Sequence, residues 1–171
     1  EVGAQRGSNL LYMSAPKTGD LSALYSDKLD RAELCTQLLE LLYGVEPSDA
    51  RVEQFALYLK SNDVHPKWAF ITYFLFITSP DTELFVKPEA IQRFLKHIGR
   101  GSTYANIPSA DSYGRLLDIA GEIRAAFSEY EPGDMVDIQS LIWVCALALR
   151  KGARSKSDTE RDFLESIFPD T

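Results

Sequence analysis

Trp68-Ala-Phe-Ile-Thr-Tyr-Phe-Leu-Phe-Ile77 is the stretch on which the fold turns. It is apolar on all sides of any regular backbone. Its aromatic and β-branched content suits a buried strand. Periodicity does not separate the two readings, because an apolar run has no polar face to reveal a period. Length and neighbours decide it. The run is bounded by His65-Pro66 before and by Ser79-Pro80-Asp81-Thr82 after, and both flanking segments read as helices. We therefore expect a central buried helix. It is too short to span a bilayer, which needs about 20 residues.

Upstream, Leu34, Leu38, Leu41 and Leu42 recur at helical spacing between Asp27 and Tyr43, and Gly44 is placed to end that helix in a left-handed cap. Pro47-Ser48 then opens a second helix. Val52, Phe55, Ala56 and Leu59 stand there at i, i+3, i+4 and i+7, and Ser61-Asn62-Asp63 closes it. Residues 1 to about 26 carry glycines, serines and apolar residues without a long period. They read as an irregular N-terminal arm, residues 1–26, before a single helical domain over residues 27–171.

Downstream, Lys87-Pro88 opens a fourth helix with Ile91, Phe94, Leu95 and Ile98 on one face. Gly99 and Gly101 stop it, and residues 102–109 read as a loop. The clearest stripe in the chain is Tyr113, Leu116, Leu117, Ala120, Ile123 and Phe127, a fifth helix broken by Pro132-Gly133. Asp134 then looks like the N-cap of a sixth, running to about Leu149. Ser157-Asp-Thr-Glu160 is a capping box for a last helix with Phe163, Leu164, Ile167 and Phe168 on one side. No pair of alternating strand runs is joined by Asn-Gly or Asp-Gly, which argues against a sandwich or barrel. The expected architecture is all-α, an irregular bundle of about seven helices.

Composition agrees with one globular domain. The 171 residues are 45% hydrophobic, and a chain of this length buries roughly 70% of its unfolded surface without disulfides or metal. The net charge is −7, which speaks against a protein that coats duplex DNA over a whole face. Cys35 and Cys145 both lie in apolar helical patterns and read as buried free thiols of a reducing compartment. The N-terminus has no apolar signal region and no initiator Met, so we expect a fragment or processed chain of a cytoplasmic protein, with no membrane contact.

Neither GxGxxG nor GxxxxGK[ST] occurs, and Gly99-Arg100-Gly101-Ser102 follows a helix instead of preceding one. The only imidazoles are His65 and His97, read as a turn residue and a helix-dipole partner. Two cysteines read as buried make poor nucleophiles. The string Pro80-Asp81-Thr82-Glu83-Leu-Phe-Val-Lys87 is similar to the Pro-Asp then acid-x-Lys signature of metal-dependent nucleases. Glu83 and Lys87 are four apart here instead of two, however, and no strand pair displays them. Asp118 and Glu122, one turn apart, read as a solvated helix face. We expect no catalytic residue, no metal site and no cofactor.

The run Arg150, Lys151, Arg154 and Lys156 is the chain's most informative charge feature. It contains no acid and carries +4, leaving −11 on the remainder of the −7 chain. As a loop it can contact phosphate, with Arg93, Lys96 and Arg100 as possible helpers, or an acidic protein partner, or water alone.

Two segments carry a resemblance. Trp68 through Ile98 and Asp134-Met-Val-Asp-Ile-Gln-Ser-Leu-Ile-Trp143 resemble an uncharacterised helical region of bacterial proteins, some associated with restriction or DNA-modification systems. The resemblance covers about half the chain and brings no catalytic residue with it. It implies an accessory or regulatory module of a bacterial DNA-related system, and the lack of a catalytic constellation together with the surplus of apolar residues makes a non-enzymatic interaction module the expected reading. A protein partner is the leading expectation, and nucleic-acid binding through the 150–156 run is the alternative. An enzyme with a site invisible in sequence is the second alternative.

Overall fold

The computed structural model describes Leu11 and residues 19–152. Six α-helices and three short 3-10 turns form there, and no strand does among the described residues. The helices are α1 (Arg31–Tyr43), α2 (Ser48–Ser61), α3 (Trp68–Thr78), α4 (Pro88–His97), α5 (Ala110–Ala126) and α6 (Met135–Gly152). The seventh helix expected after Ser157 lies outside the described residues. No helix among those described is long and apolar enough to cross a membrane.

The Trp68 run is a helix, as its neighbours required. It is the centre of the core: Trp68, Ala69, Phe70, Ile71, Thr72, Leu75 and Phe76 are all buried. Its rings pack edge-on and tilted with their surroundings, Phe70 on Phe74 at 5.6 Å, Tyr73 on Phe85 at 6.1 Å and Trp68 on Tyr113 at 6.1 Å. Such ring pairs add to plain burial. Trp68 Nε1 donates to the Ala105 carbonyl at 2.7 Å, so the indole is buried with its polar edge satisfied. Pro66 lies before the helix, whose N-cap is Lys67.

Local signals set the helix ends. Asp30 accepts from the Glu33 amide at 2.9 Å, Ser109 from Ser112 at 3.3 Å and Asp134 from Val136 at 2.8 Å. α2 and α4 both close through a left-handed residue, Asp63 at φ 53° and Gly99 at φ 70°. After each, the next amide reaches back to the helix, Val64 to Leu59 and Arg100 to Leu95.

Gly44 departs from the expected left-handed cap. Its backbone is extended, φ −60° and ψ 159°. Glycine is needed there for space, since a Cβ would collide with the carbonyl and carboxylate of Glu40. Cys35 is exposed, not buried; only Cys145 is in the core. α1 carries apolar residues around most of its circumference. Leu34 and Leu41 face inward, which leaves Cys35 and Leu39 outside. The arm expected over residues 1–26 is tied to the domain at its end. Ser22–Tyr25 form a 3-10 turn, and Leu21 and Ala23 join the core.

Between α3 and α4 the chain crosses the core without regular secondary structure. Glu83, Leu84, Phe85 and Val86 are all buried. No ladder serves this backbone, so side chains do. Thr72 Oγ1 accepts from the Val86 amide at 2.9 Å and donates to the Trp68 carbonyl at 2.8 Å. The Tyr113 hydroxyl accepts from the Leu84 amide at 3.3 Å. It donates to the Glu83 carboxylate at 2.9 Å in preference to the Leu84 carbonyl at 3.2 Å, because the acceptor is charged.

The turn before this segment is tied to α6. The Met135 amide donates to the Pro80 carbonyl at 2.8 Å, and Arg124 spans from the Asp81 carbonyl to that of Gly133 at 3.3 and 2.8 Å.

Candidate functional site

Two surfaces stand out. The first is a groove of about 460 Å³ where α3, α4 and α6 meet. Ala69, Ala90 and Ala146, one from each helix, line it and are buried. Small side chains let the helices approach and leave the depression above them. Trp143 and Arg150 come from α6; Lys87 and Arg93 come from the start and middle of α4. On α6, Trp143, Ala146, Leu147 and Arg150 stand at i, i+3, i+4 and i+7, one face of the helix.

Lys87 Nζ lies 4.8 Å from the centroid of the Trp143 ring, a cation–π contact. Burial lowers the Lys87 ammonium pKa, against the opposing pull of Asp20 and Glu89, which both line the groove. Arg93 Nη1 donates to the Ala146 carbonyl at 3.2 Å, pinning one edge of its guanidinium to the last turns of α6.

The basic run divides accordingly. Arg150 and Lys151 are not in a loop; they belong to the last turn of α6, which continues to Gly152. The apolar spacing stops at Leu149, but good helix formers follow it and the backbone carries on. Arg150 lines the groove. Arg154 and Lys156 lie outside the described residues. Of the helpers, Arg93 joins Arg150, whereas Arg100 turns away to pair with Glu122 at 2.9 Å, and Lys96 is exposed.

The second surface is the outer side of α1. Leu39 is 59% exposed, Tyr43 69% and Val45, in the following turn, 97%. Cys35 and Leu39 are one turn apart, and Tyr43 is one further turn along the same side.

The other candidates stay dispersed. Asp81 is exposed and Glu83 is sealed in the core, while Lys87 lies in the groove, so the nuclease-like string converges on no common site. His65 is exposed and lines a separate cleft with Lys28 and Lys67. Those ammonium groups donate to the carbonyls of Asp63 and Gly19, bracing the 3-10 turn against the α2–α3 corner. His97 is exposed at the end of α4. Asp118 is exposed on α5. Among the described residues no group of three or more His, Cys, Asp or Glu gathers as a metal site. The pairing of Lys87 with Trp143 has no local signal in the sequence; the i, i+3, i+4, i+7 row from Trp143 to Arg150 marks one side of the groove only once α6 is seen to continue past Leu149. No known family, curated protein or solved structure matches the chain.

Proposed function

We propose that this chain is a non-catalytic helical module that docks on a protein partner through the outer side of α1. The carrying observation is the exposure of Leu39, Tyr43 and Val45 along α1 and the turn that follows it. Isolated apolar residues on a surface are ordinary, but a cluster along one helix and its turn marks a partner site. The resemblance of Trp68–Ile98 and Asp134–Trp143 to an uncharacterised helical region of bacterial proteins, some associated with restriction or DNA-modification systems, supports an accessory role in such a system.

The test compares the full chain with a Leu39→Lys/Tyr43→Lys double variant. Both side chains are exposed, so the variant folds with an unchanged unfolding midpoint. Affinity capture from the source cells, with light scattering for self-association, should give a complex with the parent chain that the variant loses. A complex indifferent to these two residues overturns the reading, as does the absence of any complex.

A further inference from the structure

The groove between α4 and α6 differs from the α1 face in chemistry and is built from other helices. Three cations, Lys87, Arg93 and Arg150, line about 460 Å³ of it, on a chain whose net charge is −7. An anionic ligand meets repulsion from much of this molecule and attraction here, so the groove is where its approach is steered. Two carboxylates, Asp20 and Glu89, line it as well. A uniform polyanion such as a nucleic-acid backbone would set phosphates against them. A ligand with spaced negative charges need not.

Between the cations the lining is apolar: the three alanines, Leu147 and the Trp143 ring. A side chain laid on those methyl groups would be desolvated against Trp143, a residue type that dominates binding energy at interfaces. Arg93 is already fixed by its bond to Ala146 and Lys87 by its seat over Trp143, so little of their freedom is left to lose on binding.

We propose that this groove is a binding site for an acidic peptide segment of a partner protein, its carboxylates on Arg93 and Arg150 and an aliphatic or aromatic side chain on the alanine floor beside Trp143. The site does not depend on the α1 face, and a two-surface module of this kind holds a partner by one contact and reads a charged segment with the other.

The experiment is selection of a displayed random 12-residue peptide library on the full chain, followed by titration of the selected peptides against the parent and three variants. The selected sequences should place Asp or Glu beside Leu, Ile or Phe, and their binding should shift the Trp143 emission. Arg150→Glu and Lys87→Glu should each weaken binding at least tenfold, and Leu39→Lys should leave it unchanged. Arg150 is exposed, so its variant folds and keeps the result interpretable even where Lys87→Glu does not. Selected peptides without acids overturn the proposal, as do peptides indifferent to Arg150→Glu. So does a single-stranded oligonucleotide that binds through Arg150 at low salt when no peptide does; that outcome reassigns the groove to nucleic acid. Loss of peptide binding in Leu39→Lys alone would place the ligand on the α1 face instead.

Discussion

Glu83 and Lys87 are four residues apart, and they sit in opposite kinds of environment. Glu83 is sealed beneath α5, its carboxylate bonded to the Tyr113 hydroxyl. Lys87 opens into a groove, its ammonium over a half-buried indole. Both charges meet an aromatic side chain, Glu83 at the Tyr113 hydroxyl and Lys87 at the Trp143 ring. The difference is access to water. A closed contact between polar groups must be complete, because nothing else can satisfy them. An open contact can be left unfinished, and a ligand can finish it. The sealed end of this segment therefore contributes to stability and the open end is suited to recognition.

That contrast can be broken most directly at Phe85, fully buried between the two. Phe85→Ala should lower unfolding stability by about 3–5 kcal/mol in a urea titration, the usual cost of a large core cavity. Next comes Tyr113→Phe. It leaves the ring in place but removes the donor to a buried carboxylate, and should cost about 1–3 kcal/mol. A loss as small as that of a surface substitution would mean that water reaches Glu83.

The alkaline limb sharpens the same point. Burial, then the nearby Glu83 carboxylate and the bond to it, hold the Tyr113 phenol well above the usual tyrosine range. The group is thus protonated in the folded chain at a pH where it ionises in the unfolded one. Its contribution is complete below about pH 10 and falls as pH rises beyond that, by up to about 1.4 kcal/mol per pH unit. Tyr113→Phe should show a shallower alkaline loss than the parent in unfolding titrations from pH 9 to 11.

At the open end, effects on stability should shrink. Lys87→Ala removes a partly solvated cation–π contact and should cost about 0.5–1 kcal/mol, well below Tyr113→Phe. Smallest of all, Arg100→Ala breaks an exposed ion pair with Glu122 and should shift stability by less than about 0.5 kcal/mol, less still in high salt. A groove variant that unfolds the protein as readily as a core variant would erase the distinction between the two ends.

Much of the helical order was legible in the residues, because caps and breakers act locally. Asp134, Pro88 and Gly99 each do what their positions suggest. The Trp68 run was readable only from its surroundings, since a segment buried on all sides has no period to display. Three features were not legible. Leu84-Phe85-Val86 crosses the core without regular structure, held by Thr72 and Tyr113 from two different helices, and no local pattern announces such distant support. Cys35 sits in a leucine-rich helix whose inward face is set by packing, not by composition. The groove draws on Ala69, Lys87 and Arg150, far apart in the chain and joined only by the packing of α3, α4 and α6.

The two thiols divide along the same line of access. Cys145 lies in the core between α6 and its neighbours, and burial pushes its thiol pKa up. Cys35 stands in solvent one turn from Leu39. A maleimide added to the native chain should therefore modify a single site, and that site borders the surface proposed for docking. The chain thus carries its own reporter group: the rate at which maleimide alkylates Cys35 measures, with no introduced cysteine, whether the outer side of α1 is bare or covered.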